Sequence, residues 1–129
     1  MARLAEPLMK NGGSLLTLTF SGSERFVPGY GLMGPVKAAL ECSVKYLAAE
    51  LGPQGIRVNA ISAGPIKTRA ASGIPGFDTL QNEMVKHTFI GRPVTIAEVG
   101  QAAAFLVSDA ARATTGTIHY VDGGLHQSG

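Results

Sequence analysis

Three short apolar segments, separated by segments of helical periodicity, constrain the fold more than any other feature. Ser14–Phe20, Arg57–Ala63 and Thr117–Val121 have strand length, and each adjoins a glycine-containing turn. Between the first two, apolar residues recur at helical spacing over Leu32–Leu51, and Gly52-Pro53 supplies a stop. Strands that alternate with helices predict an α/β fold with a doubly wound parallel sheet of about three strands. The first strand is predicted to be covered on both faces.

The second half of the chain carries further element signals. Asp78–Phe89 is predicted to be a helix, and Lys67–Gly76, which shows no clear period, is predicted to be a loop. Thr95 and Glu98 form a T-x-x-E capping box, which predicts a helix that ends near Ser108. Because neither a repeat nor a linker interrupts the sequence, we expect residues 1–129 to form a single unit.

Composition and charge exclude several classes of protein. Of the 129 residues, 45% are hydrophobic and 16% charged, and the sequence has no apolar run long enough for a membrane-spanning helix. Arg3, Glu6 and Pro7 interrupt the first ten residues, which therefore do not resemble a secretory signal. The net charge of +2 is too small and scattered for a nucleic-acid surface. A single cysteine, Cys42, is expected to be a buried helix residue in a cytoplasmic protein.

Two features suggest half of a larger domain. The apolar strand Ser14–Phe20 has no lysine or proline to protect it as a sheet edge. A dinucleotide-binding fold also needs a glycine-rich turn directly after its first strand, and no G-x-G-x-x-G follows a strand here. Gly29 and Gly31 with Gly34 come nearest to that pattern. We therefore expect the chain to be the C-terminal half of such a sheet.

Tyr30 and Lys37 are the strongest candidates for chemistry. They are seven positions apart, so on one helix they would face the same side, and the ammonium would lower the pKa of the phenol. Such a tyrosine can donate to a carbonyl or enolate oxygen. The alternative is a partly buried tyrosine and a solvated lysine. Pro35 requires that the helix begin nearby, and Glu41 and Lys45 are predicted to form an i,i+4 pair.

The segment Leu15–Lys37, LLTLTFSGSERFVPGYGLMGPVK, resembles the catalytic segment of bacterial NADH-dependent enoyl-[acyl-carrier-protein] reductases. These enzymes are divergent members of the short-chain dehydrogenase/reductase superfamily. Similar motifs follow in the same order at Gly52–Thr68, Ala70–Ile74 and Thr95–Gly124, so the resemblance covers essentially the whole chain. The Y-x6-K spacing separates this family from typical superfamily members with Y-x3-K, whose lysine position is occupied here by Gly34.

The resemblance implies a role for each matching residue. Tyr30 would be the catalytic tyrosine, and Lys37 would act with it and hold the nicotinamide ribose. The expected cofactor is NADH and no metal site is expected. Cofactor contacts are implied for Lys37, Gly64, Pro65, Ile66 and Thr68. Lining and flap residues of the acyl pocket are implied at Phe20, Tyr30, Met33, Ala70, Ala71, Ile74 and Phe77.

Some of these residues also allow other interpretations. Phe20 stands where the family usually has a second pocket tyrosine, so one hydroxyl is missing. The Ser62–Ile66 motif could be an ordinary strand-end turn, and the flap residues could be plain loop packing.

The expected function is enoyl-[acyl-carrier-protein] reduction, with an acyl-carrier-protein-linked enoyl substrate, in a homo-oligomer. The alternative is a non-catalytic half-domain that self-assembles through its exposed sheet edge and helices.

Overall fold

The computed structural model describes residues 1–69, 71–73 and 76–128. Its strands are β1 (Gly13–Thr19), β2 (Ile56–Ala63) and β3 (Ile118–Val121). Its helices are α1 (Ala2–Ala5), α2 (Met33–Leu51), α3 (Phe77–Lys86) and α4 (Ile96–Val107), and short 3-10 turns include Ser21–Ser23 and Ala71–Gly73. All three predicted strands and all three predicted helices are present, with ends that move by up to three residues.

The strands form one parallel sheet in the order β1-β2-β3. Leu18 of β1 pairs with Ile61 of β2, and Ala60 of β2 pairs with Ile118 of β3. Parallel neighbours require a crossover between them, and α2 and α4 lie in those crossovers. The predicted α/β fold with a three-stranded parallel sheet is therefore confirmed.

Successive residues of the central strand β2 face opposite layers of the molecule. Val58 and Ala60 lie in one apolar cluster with Val44 and Ala48 of α2. Their neighbour Ile61 lies in a second cluster with Val99 and Leu106 of α4. Because side chains alternate across a strand, α2 and α4 cover the two faces of the sheet. This two-sided cover makes β2 almost fully buried.

The edge strand β1 is less covered than the sequence predicts. Leu15 and Leu16 are partly buried against the α2 and α4 clusters, but the Leu18 side chain is 51% exposed. In the described sheet β1 has a hydrogen-bonded neighbour on one side, and α2 lies mainly over β2. β1 is therefore covered on both faces, as predicted, but only in part. Cys42 was predicted to be buried but is exposed.

The sequence signals for the starts of α2 and α4 agree with the structure. Thr95 Oγ1 accepts from the Glu98 backbone N–H at 3.2 Å, and Glu98 Oε2 accepts from the Thr95 N–H at 2.8 Å. This reciprocal capping box starts α4, as predicted. Pro35 lies in the first turn of α2, where the missing N–H costs little.

No helix in the described ranges combines the length and apolarity needed to cross a bilayer.

Candidate active site

The carboxyl ends of the three strands meet at one edge of the sheet. β1 ends at Thr19, β2 at Ala63 and β3 at Val121. In open α/β sheets, ligands bind at this edge. The predicted residues follow directly: Phe20 continues from β1, and Gly64 follows β2. The site is therefore built on strand ends and on the loops that leave them.

Tyr30 lies in a turn before α2 and not on the helix itself. Its N–H donates to the Val27 carbonyl at 3.1 Å, and its own carbonyl accepts from the Met33 N–H at 3.1 Å. Gly29 and Gly31 flank it with φ values of 76° and 53°, a left-handed backbone that glycine adopts readily. The inference that Tyr30 and Lys37 share one helical face is therefore wrong, because α2 begins three residues after Tyr30.

The Tyr30 ring is held by small and aromatic neighbours. It packs edge-to-face on Phe20, with ring centroids 5.2 Å apart. A Cβ atom at Gly22 would lie 2.5 Å from Tyr30 Cδ1, so only glycine leaves room for the ring. Tyr30 also lines a cavity of about 370 Å³ that includes Gly34 and Ala38 of α2.

Burial raises the pKa of the Tyr30 phenol, which is opposite to the predicted direction. The predicted cause was the Lys37 ammonium, but Lys37 Nζ donates to the Leu18 carbonyl at 3.0 Å. The phenol is therefore protonated at neutral pH and able to donate a hydrogen bond. An ammonium has three N–H donors, so Lys37 can bind further oxygens at this edge.

The segment after β2 is held by the protein itself. Gly64 N–H donates to the Val121 carbonyl at 2.9 Å, and a Cβ on Gly64 would lie 3.1 Å from Asp122 Cα. The Pro65 carbonyl accepts from Gln81 Nε2 of α3 at 2.7 Å. Ile66 packs against the apolar cluster beneath α4. Their cofactor contacts stay predictions, and the backbone of the segment is held by its hydrogen bonds to Val121 and Gln81.

The predicted pocket residues are distributed over several elements. Phe20 contacts Tyr30, whereas Met33 and Phe77 begin different helices, with 44% and 8% of their surfaces exposed. Thr68 Oγ1 accepts from the Ala71 N–H at 3.1 Å, which closes a turn. Ala70 and Ile74 lie outside the described residues.

Sequence reasoning missed Glu41. Its Oε1 accepts hydrogen bonds from Thr19 Oγ1 and Ser23 Oγ, both at 2.6 Å. The predicted pair with Lys45 is wrong, because the carboxylate binds these hydroxyls instead. Its spacing of four residues from Lys37 was the available signal, since it places both on one face of α2.

A second polar group lies at the end of β3. The Tyr120 hydroxyl donates to the Glu24 carboxylate, and its ring stacks on His126 at 3.8 Å between centroids. Asp122 Oδ2 is 2.9 Å from His126 Nδ1. Burial, and then the Glu24 hydrogen bond, raise the pKa of Tyr120. Within the described ranges, no group of three or more His, Cys, Asp or Glu side chains could hold a metal ion.

Comparison with known proteins gives one consistent result. A family model described as "Enoyl-(Acyl carrier protein) reductase" matches residues 1–126. The enoyl-[acyl-carrier-protein] reductase [NADH] 2 of Rhizobium meliloti is 52% identical over 126 residues, which are 98% of this chain and 47% of that protein. The chain thus spans about half the length of the curated relatives it matches.

Solved structures agree with the sequence match. The Bacillus cereus enoyl-acyl carrier protein reductase, crystallised with NADP+ and indole naphthyridinone, superposes with a TM-score of 0.95 and 51% identity, covering 99% of this chain and 50% of that one. The Anaplasma phagocytophilum reductase in complex with NAD gives a TM-score of 0.91 and 49% identity, covering 99% and 46%. Since the sequence match extends over residues 1–126 and the fold superposes on solved members, the chain belongs to the enoyl-(acyl carrier protein) reductase family.

Proposed function

We propose that residues 1–129 form the catalytic half of an NADH-dependent enoyl-[acyl-carrier-protein] reductase. The observation that carries the proposal is a protonated, half-buried Tyr30 near the carboxyl edge of a parallel sheet, with the Lys37 ammonium held at the same edge. The substrate would be a 2-enoyl thioester linked to an acyl carrier protein. We further propose that the working protein is a homo-oligomer.

Tyr30 would bind the thioester carbonyl oxygen through its phenolic O–H. Hydride addition to the β-carbon of the conjugated double bond turns that carbonyl oxygen into an enolate oxygen, and a hydrogen bond to it strengthens as charge develops. A proton added to the α-carbon then restores the carbonyl and completes the reduction. The burial that raises the pKa of Tyr30 keeps the donor proton in place at neutral pH. Phe20 orients the ring by edge-to-face packing but brings no second hydroxyl to the substrate.

NADH, when bound, would supply the hydride. The residues present suit the nicotinamide end of this cofactor. Lys37 has donor capacity beyond its bond to the Leu18 carbonyl and would hold the ribose hydroxyls. The rigid Gly64–Ile66 backbone would form a wall beside the ring, and Thr68 would contact the pyrophosphate. Met33, Ala70, Ala71, Ile74 and Phe77 would contribute the apolar surface that a fatty acyl chain requires.

The test combines NADH oxidation with crotonyl thioester and NADH binding by calorimetry. Tyr30→Phe should lower turnover by roughly 10²–10³-fold, as loss of an oxyanion donor does, and leave NADH affinity unchanged. Lys37→Met should weaken NADH binding by about 10-fold or more, because it removes a charged donor.

The matched control is Tyr46→Phe, since Tyr46 is a 68% exposed tyrosine on α2. This variant should keep the wild-type turnover and affinity. A folded 129-residue chain that neither binds NADH nor oxidises it with the thioester would overturn the proposal for this chain.

A second candidate function rests on the β1 edge. In the described sheet β1 pairs with β2 only. Beside it lies an apolar cavity of about 490 Å³, which includes Leu4, Leu15, Leu40 and Leu47. An unprotected edge next to an apolar cavity favours pairing with another β-strand. The alternative is therefore a non-catalytic half-domain that self-assembles through β1 and the neighbouring helices.

A further inference from the structure

Glu41 joins α2 to two separate parts of the chain. Thr19, the last residue of β1, and Ser23, in the turn that follows, both donate hydroxyl protons to Glu41 Oε1 at 2.6 Å. Distances this short are typical of hydrogen bonds from a hydroxyl to a carboxylate. Such bonds are stronger than hydrogen bonds between neutral groups. Thr19 is buried, so solvent competes little for its hydroxyl.

The turn that Glu41 holds is also the surface on which Tyr30 packs. Gly22, next to Ser23, lies against the Tyr30 ring so closely that a Cβ would meet Cδ1 and Cε1 at 2.5 and 2.7 Å. A Cβ on Gly34, in the first turn of α2, would lie 2.9 Å from the Gly22 carbonyl oxygen. Movement of the Ser21–Ser23 turn would therefore displace the phenol.

Lys37 and Glu41 attach the same helix face to consecutive residues of β1. Lys37 Nζ binds the Leu18 carbonyl, and Glu41 binds the Thr19 hydroxyl one turn further along α2. Residues four apart on a helix are neighbours, so the two contacts fix both the rotation and the height of α2 against the strand end. Of these two side chains, Glu41 also binds the turn beneath Tyr30, through the Ser23 hydroxyl.

We propose that Glu41 is a positioning residue that fixes the Tyr30 phenol relative to the Lys37 ammonium by clamping the Ser21–Ser23 turn to α2. Its catalytic consequence rests on the reductase function proposed above. The placement of Tyr30 can be measured without activity, so the failure of one proposal is distinguishable from the failure of the other.

The first measurement is NMR of the chain labelled with ¹³C in its tyrosine rings. The sequence has three tyrosines, and Tyr30→Phe assigns the Tyr30 signal. Because the Tyr30 ring lies 5.2 Å from the Phe20 ring, its shift reports their contact. Glu41→Ala should move the Tyr30 signal towards its value in the unfolded chain, with Tyr46 unchanged. Glu41→Gln, which keeps an oxygen acceptor, should largely restore it.

The second measurement is the split between kcat and NADH affinity. Glu41→Ala should lower kcat by roughly 10- to 100-fold, as small misplacements of a catalytic group do, without changing the NADH Kd. Glu41→Gln should recover most of that loss. The control is Glu50→Gln, an exposed carboxylate on the same helix, which should change neither measurement.

Thr19→Val keeps the inference testable if Glu41→Ala does not fold. It removes one of the two hydroxyl donors with little change in volume, and should shift the Tyr30 signal part of the way. If the Tyr30 signal stays in place in folded Glu41→Ala or Thr19→Val, the inference is wrong. If the Tyr30 signal moves as expected in the variants but the wild-type chain is inactive, the clamp is supported and the reductase proposal fails.

Discussion

At the scale of single residues, Gly22 affects the position of the Tyr30 ring in the candidate site, although it has no side chain. It has an ordinary negative φ, so its backbone conformation is open to any residue. Its requirement for glycine comes from the Tyr30 ring, which occupies the space of the missing Cβ. The Tyr30 phenol can therefore take its position only because Gly22 has no Cβ atom.

Gly22→Ala should displace the Tyr30 ring and destabilise the fold by about 1–3 kcal/mol, the usual cost of overpacking. We expect thioester reduction to fall with little change in NADH binding, because Lys37 is bound to Leu18 and not to this turn. Chemical denaturation and turnover measurements check both effects.

A control for this substitution is Gly100→Ala. Gly100 lies within α4, and apart from its chain neighbours and the helix's own backbone no atom lies within 4 Å of the position its Cβ would take. Alanine should stabilise this helix by about 1 kcal/mol, since glycine is the poorer helix former. Equal destabilisation by both substitutions would contradict the steric explanation for Gly22.

At the scale of elements, the start of α4 carries a pH-dependent contribution to stability. Hydrogen bonds from Arg92 and Thr95 lower the pKa of Glu98 from 4.5 to about 2. A carboxylate with a lowered pKa in the folded state stabilises that state above its unfolded pKa. This contribution is complete above pH 4.5 and is lost as the pH falls towards about 2.

Glu98→Gln should lower the melting temperature at pH 7, because the Arg92 ion pair and the charged cap are lost together. The difference between wild type and variant should shrink as the pH falls from 4.5 to about 2, where Glu98 becomes neutral. Thermal melts followed by circular dichroism at several pH values measure this difference. A gap of constant size across that range would contradict the assigned pKa.

Elements with a local sequence signal were predicted well, and contacts between elements were not. The capping box of Thr95 and Glu98 is a local pattern with its own physics, so it predicted the start of α4 correctly. Tyr30 and Lys37 were predicted to share a helical face because their spacing fits one, yet glycines with positive φ on both sides place Tyr30 in a turn. The Glu41 bonds join residues 18 and 22 positions apart, which no local periodicity reveals.

The family resemblance supplied what periodicity could not. It predicted the family on motifs spread over nearly the whole chain, and the family match over residues 1–126 confirms that prediction. It also proposed roles for Gly64 and Ile66 at the cofactor. The structure adds that both already have protein neighbours, Asp122 and Val94 for the glycine and the α4 cluster for the isoleucine.

At the scale of the whole molecule, the β1 edge is the main feature that the proposed reductase chemistry does not use. The chain matches about half of each relative, and β1 pairs with β2 alone in the described sheet. Leu18 is half exposed on this edge, and its strand, with the sequence GSLLTLT, contains no charged residue. An apolar edge of this kind favours pairing with another strand unless a charge protects it.

Leu18→Lys should therefore reduce self-association while leaving the fold intact, because it places a charge on the exposed edge and keeps the backbone bonds of β1. Light scattering at micromolar concentrations should give the wild-type chain a mass above 13.3 kDa that rises with concentration, and the variant a mass nearer that value. Leu8→Lys is the matched control, since Leu8 is exposed in the Glu6–Leu8 turn and is not part of the strand, and it should behave as wild type. A wild-type chain that stays monomeric throughout this range would exclude self-assembly through β1, because an edge that pairs with a second copy must respond to concentration.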